Sequence, residues 1–161
     1  MSIVVSDTSP IRALNHLGEV ELLRHLYGTV LVPPAVQAEL LRPPTSFPSI
    51  DLRGFPFVCV RAPADAQRVQ QLCQVLDIGE AEAIALAIEL TPAILLIDEF
   101  AGRAVAAASG VPHIGVLGIL ARAKNEGLIH AIRPLLDRLR AELRFRVSDQ
   151  LYTQYLRSVA E

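Results

Sequence analysis

Ala93-Ile94-Leu95-Leu96-Ile97-Asp98 is five apolar residues in a row, closed by an acid. The run is short, lacks polar alternation and follows a Thr-Pro break, which is the pattern of a strand buried on both faces. Ile3-Val4-Val5-Ser6 repeats it and also ends in an acid, Asp7. Working outward, further strands are expected at residues 29–32 and 113–116, with a short edge strand at 57–60. Helical patterns fill the intervals. Ser9 and Pro10 look like a cap and first turn, and Ile11, Leu14 and Leu17 follow at helical spacing before Gly18. Helices are also expected at 19–27, after Pro33-Pro34, at 65–76, at 80–90 with Gly79 as the break before it, and at 102–108, 117–125, 129–143 and 149–159. Strands alternating with helices imply a parallel sheet covered on both sides. The fold expected is a three-layer α/β/α sandwich with a mainly parallel central sheet, one domain over residues 1–161.

Composition narrows the function classes. With 161 residues, 52% hydrophobic and 20% charged, the chain is a folded protein and not a disordered one. A net charge of −2 gives no overall pull towards nucleic acid, so any such binding needs a local basic patch. No apolar stretch approaches the roughly 18 residues of a membrane span, and the first residues lack the basic region of a secretory signal. A cytoplasmic protein is expected. Cys59 and Cys73 have no metal-type spacing and are expected to be buried small hydrophobes in a reducing compartment. Pro43, Pro44, Pro48 and Pro56 mark a long connection, a candidate flap over a site.

The acids carry the chemistry. Asp7 and Asp98 end two parallel strands and so lie on the same edge of the sheet, where open α/β folds bind ligands. At about 100° per residue, Glu80 shares a helix face with Ala83, Ile84 and Ala87, whereas Glu82 points to the side of Glu89. Glu39 stands at the border of the Val36–Leu40 apolar stripe. Each has an ordinary reading alone: a turn or cap residue for Asp7, a charge favouring a helix start for Glu80, a surface acid for Glu39. Together, Asp7, Glu39, Glu80 and Asp98 would gather at one edge, where they repel each other unless a cation neutralises them. Hard oxygen donors without cysteine or paired histidine suit Mg²⁺ or Mn²⁺.

These segments resemble the PIN-domain nucleases. Asp7-Thr8-Ser9 is similar to the family's first strand and its Asp-Thr-Ser/Asn start. Residues 34–40, Pro-Ala-Val-Gln-Ala-Glu-Leu, resemble the helix carrying the second acid. Gly79-Glu80-Ala81-Glu82 resembles the third, and Leu95-Leu96-Ile97-Asp98-Glu99 the fourth. Together with Ile114-Gly115-Val116-Leu117-Gly118-Ile119-Leu120, the run is similar to a PIN-like branch grouped with VapC-type toxins. Two departures stand out: glutamate occupies the third acidic position, with Glu82 as an alternative to Glu80, and Asp98-Glu99 replaces Thr-x-Asp, leaving open which acid faces the metal. The resemblance implies a metal-dependent RNase with RNA as substrate, often a toxin held by a small antitoxin, and a homodimer. A DNA-directed nuclease and a catalytically silent PIN-like binding domain are the alternatives. A receiver-type signalling domain is excluded because the sole lysine, Lys124, falls on a helix.

Other charged groups read as ordinary surface. Arg133, Arg138, Arg140, Arg144 and Arg146 make the C-terminal third basic, with Asp137 and Glu142 offsetting them. Arg103 lies about one turn beyond Glu99. His16, His25, His113 and His130 show no paired spacing, and Tyr152 and Tyr155 suit packing. There is no Walker-type phosphate loop and no Gly-x-Gly-x-x-Gly fingerprint, which argues against a nucleotide cofactor.

Overall fold

The computed structural model describes residues 2–44 and 46–161. Five parallel strands form one sheet: β1 (Ile3–Ser6), β2 (Val30–Val32), β3 (Val58–Val60), β4 (Ala93–Leu96) and β5 (His113–Ile114). Their order across the sheet is β3-β2-β1-β4-β5. The chain therefore winds one way from β1 and the other way from β4, and the two strands meet side by side at the centre. Their register, Ile3 opposite Ala93 through Ser6 opposite Leu96, ends both strands at the same level. The Asp7 N–H donates to the Leu96 carbonyl at 2.9 Å just beyond.

The alternation of strand side chains builds the three layers. Val4 and Leu96 belong to one apolar core with residues of α1 (Thr8–Leu17), α2 (Glu21–Tyr27), α3 (Pro34–Leu41), α7 (Val116–Asn125), α8 (Arg133–Glu142) and α9 (Asp149–Ser158). Val5, Ala93, Leu95 and Ile97 point the other way, into a core with Ala83, Ile84, Leu86 and Ala87 of α5 (Ile78–Glu89) and Ala106 of α6 (Phe100–Ala108). Both faces of the central strands are thus dry, which is why their sequences carry no polar alternation. No helix among the described residues is long and apolar enough to cross a membrane.

Several local expectations need correction. Gly79 does not break α5; it lies inside the first turn, because Asp77 caps the helix two residues earlier. The helix after β1 starts at Thr8, with Asp7 and not Ser9 in the cap position. Residues 129–132 precede α8, which begins at Arg133. Cys59 and Cys73 are exposed. Cys59 sits on the edge strand β3, and Cys73 follows α4 (Ala66–Leu72), a helix with no buried residue. The proline-rich connection is anchored: Ile50 and Leu52 are buried, and the Ile50 N–H donates to the Leu40 carbonyl at 2.8 Å. Thr45, within that connection, lies outside the described residues.

Candidate active site

The point where the sheet reverses its winding is where a doubly wound fold opens a crevice beyond the strand ends. A cleft of about 420 Å³ lies there, lined by Asp7, Glu39, Asp77, Glu80 and Glu99 together with Thr8, Ser9 and Arg12. Three of the four acids singled out from sequence, Asp7, Glu39 and Glu80, share it. Asp98 does not: it lines a second, larger cleft that meets the first at Ser9, Arg12, Glu99 and Phe100.

Each acid is placed by its own element. Asp7 leaves the end of β1 and is 3% exposed. The next two residues reach sideways: the Thr8 hydroxyl donates to Glu39 Oε2 at 3.0 Å, and the Ser9 hydroxyl to Glu99 Oε1 at 3.4 Å. One tripeptide thus ties the acid of α3 and the acid preceding α6 to the acid of β1. Glu80 is fixed by a reciprocal cap. Its N–H donates to Asp77 Oδ1 at 2.8 Å, and the Asp77 N–H donates to Glu80 Oε1 at 3.4 Å. Glu80 Oε2 is buried and has no partner among the described residues. Gly102 makes room for it, since a Cβ there would lie 2.7 Å from that oxygen.

The two ambiguities of the sequence separate geometrically. Glu82 Oε1 accepts the Ala35 N–H at 3.0 Å, at the start of α3, and Glu82 does not line the acidic cleft. Asp98 Oδ1 accepts the Val116 N–H at 2.9 Å, at the start of α7. Gly115 is needed there, because a Cβ would fall 2.5 Å from Asp98 Oδ1. Glu99, its neighbour, lines the acidic cleft with Asp7 and Glu80. Asp98 Oδ2 is buried and unpartnered among the described residues.

The electrostatics follow from burial and crowding. Desolvation pushes Asp7 up to about 8, the Thr8 N–H pulls against it, and Glu80, Asp77 and Glu39 add repulsion. Glu80 is raised to about 7, first by desolvation and then by Asp77. Asp98 is raised to about 6 by desolvation, opposed by the Val116 N–H and Arg103.

A hard divalent cation fits this donor set. All donors are oxygens, the buried Glu80 Oε2 has no partner among the described residues, and the buried carboxylates favour their charged forms only when positive charge is supplied. No three His, Cys, Asp or Glu side chains among the described residues close on one point as a cage. Mg²⁺ does not require one, because it keeps several waters and takes one or two carboxylates directly.

A family model described as "DUF3368: PIN domain" matches residues 3–161. The chain belongs to the PIN-domain family. A comparison with curated proteins returned no significant match. The PIN domain is a nuclease-type fold, and its all-parallel sheet between two helical layers is the one seen here.

Three further residues of this PIN domain line these clefts. Asp77 was legible, since Asp77-x-x-Glu80 is a capping-box pattern. Phe100, 86% exposed at the seam of the two clefts, carries no sequence signal beyond being an apolar residue after two acids. Arg12 follows Thr8 by one helical turn and shares its face, but its burial depends on Phe47, far away in sequence. The C-terminal arginines mostly have partners. Arg133 binds the Glu161 carbonyl, Arg138 binds Glu142, and Arg140 binds Asp149. Arg144 and Arg146 instead line the second cleft. Tyr152 and Tyr155 join helices: Tyr155 donates to the Leu117 carbonyl and Tyr152 to Asp137, both at 2.6 Å.

Proposed function

We propose that this PIN domain is a Mg²⁺- or Mn²⁺-dependent endoribonuclease that hydrolyses RNA phosphodiester bonds, acting as the toxin of a toxin–antitoxin pair and working as a homodimer. One observation carries the catalytic reading. Asp7, Glu39 and Glu80 line one crevice at the sheet's reversal point, with a buried Glu80 oxygen that has no partner among the described residues. An unsatisfied buried carboxylate oxygen is costly, and a cation answers it. The toxin, antitoxin and dimer parts rest on the likeness to VapC-type sequences.

Asp7, Glu39 and Glu80 would hold the ion. Of the acidic pair after β4, we put Glu99 within its reach, because Glu99 shares their cleft. Asp98 then locks the turn after β4 against α7 through the Val116 N–H. When bound, the ion would supply charge neutralisation at the phosphate and Lewis-acid activation of water. Thr8 and Ser9 orient Glu39 and Glu99. Without an ion Glu80 and Asp7 are raised towards neutrality, so the ion would bind in competition with protons.

The deciding experiment is cleavage of a mixed single-stranded RNA pool with Mn²⁺, with and without EDTA, using purified protein checked for dimer mass by light scattering. Wild type should cut only with Mn²⁺. Asp7→Asn and Glu99→Gln should each lose at least 100-fold, whereas Asp98→Asn should lose less. Metal-independent cleavage, or equal activity in Asp7→Asn, would remove the acidic cleft from the reaction.

A further inference from the structure

The second cleft, about 1070 Å³, has the opposite electrostatic character to the first. Arg12, Arg103, Arg144 and Arg146 line it against Asp98 and Glu99. It also carries aromatic rings, Phe47, Phe100 and Phe145. A basic groove with aromatic faces is the combination that holds single-stranded nucleic acid, with cations on the phosphates and rings under the bases.

Arg12 is the residue that joins the two clefts. Its side chain is only 13% exposed. The guanidinium lies 4.5 Å above the Phe47 ring, and its closest carboxylate oxygen, Glu39 Oε1, is 4.0 Å from Nη1. Nε and Nη2 are buried with no hydrogen-bond partner among the described residues. A guanidinium has five N–H donors in a fixed fork, and leaving them empty in a buried place is expensive. The carboxylate nearby does not relieve it, since 4.0 Å is too long for a hydrogen bond. An anion with several oxygens entering from the cleft would satisfy these donors. Phe100 lines both clefts at the same seam, and at 86% exposed its ring is open to whatever crosses from one to the other.

We infer that the second cleft is the strand-binding arm of this PIN domain: Arg12 takes the phosphate at the junction and Phe100 stacks the adjoining base of a single-stranded oligonucleotide. This rests on the nuclease reading above and extends it to named residues outside the acidic cleft. It also explains how a chain of net charge −2 draws in a polyanion: attraction comes from the arm, and the acidic cleft repels phosphate until a cation is present.

The test separates arm from catalytic centre by omitting metal. A fluorescein-labelled single-stranded RNA ten-mer is titrated with full-length protein in EDTA, followed by anisotropy at several salt concentrations. Wild type should bind. Arg12→Gln should weaken binding about tenfold or more and reduce the salt slope by about 0.7, the loss of one single-strand phosphate contact. Phe100→Ala, at a position too exposed to disturb folding, should weaken binding roughly 5- to 100-fold with an unchanged salt slope. In Mn²⁺ it should raise KM and leave kcat alone. Arg12→Lys should restore part of the affinity, and the melting temperature of each variant shows that the fold persists. No binding in EDTA by a wild type that cuts the same RNA in Mn²⁺ overturns the inference alone. Binding without any cleavage in Mn²⁺ overturns the nuclease reading and leaves the arm standing. A poly-glutamate peptide that competes as well as RNA, with Phe100→Ala without effect, assigns the groove to an acidic protein partner and overturns the inference.

Discussion

A carboxylate 3% exposed at the end of a central strand, as Asp7 is, has to be explained by what it does for the fold or by what it does for a ligand. For the fold alone it is a burden. Its value near 8 lies far above the ordinary 3.8, so the folded chain holds a proton that the unfolded chain releases. The sign follows: in the absence of divalent ions, the stability contributed by Asp7 is full below about pH 4 and is lost as pH rises to about 8. Asp7→Asn removes that loss. The variant should match wild type at pH 4 and exceed it at pH 8 by more than about 1 kcal/mol, since each pKa unit is worth about 1.4 kcal/mol. Chemical denaturation in EDTA at the two pH values measures this. A variant less stable at both would mean that Asp7 serves the fold. Part of this placement is legible in the sequence and part is not. The positions of Asp7, Glu39 and Glu80 at one edge were legible, because strand ends and helix periodicity fix them. Which of Asp98 and Glu99 turns into the acidic cleft was not. That depends on the turn leaving β4 and on a backbone N–H donated by Val116, a residue no local pattern connects to it.

Among the elements, α5 and α9 show two ways in which a terminus is secured. The start of α5 is set by a local motif, the Asp77–Glu80 box, and that was available in the sequence. The expectation that Gly79 ends one helix and Glu80 opens the next failed because a cap two residues upstream outweighs a glycine in the first turn, where its entropic cost is small. The securing of α8 and α9 is long-range and left no sequence signal. The Glu161 carboxylate accepts from the N–H groups of Ile132 and Arg133 and from the Lys124 ammonium, at 2.7, 2.9 and 2.9 Å. It therefore ties the segment that follows α9 to the start of α8 and to α7. Desolvation pushes this carboxyl up, but the two N–H donors and Lys124 outweigh it and hold it at about 2, below its ordinary 4.5. A lowered value means that the stabilisation is complete above about pH 4.5 and disappears as pH falls to about 2. Glu161→Gln should cost roughly 1.5–3 kcal/mol at pH 7, the scale of charge-assisted hydrogen bonds, and the difference should vanish near pH 2. Urea melts at pH 7, 4 and 2.5 give the profile; a pH-independent difference would make the contact steric and not electrostatic.

At the scale of the whole molecule, two opposite charge fields meet at one seam, an acidic crevice at the sheet's reversal point and an arginine-lined groove beside it. The arrangement makes the fold sensitive to cations in a definite way. Asp7 and Glu80 are raised to about 8 and about 7, so the metal-free protein near neutral pH carries partly protonated acids that a divalent ion must displace. An ion that binds this cleft and not the unfolded chain stabilises by RT ln(1 + [M]/Kd), about 2.7 kcal/mol when its concentration is a hundred times Kd. For a chain of this size that corresponds to a rise of roughly 5–10 °C in melting temperature. Millimolar Mn²⁺ should produce such a rise at pH 8, a smaller one at pH 7, and almost none at pH 5, where protons hold the carboxylates. In Glu80→Gln the rise should be largely lost at every pH, while Glu82→Gln, whose carboxylate is engaged by the Ala35 N–H, should keep it. Differential scanning calorimetry with Mn²⁺ and with EDTA makes the comparison. A gain that is equal at pH 5 and pH 8, or equal in Glu80→Gln and wild type, would mean that the ion binds elsewhere and that the acidic cleft is not its site.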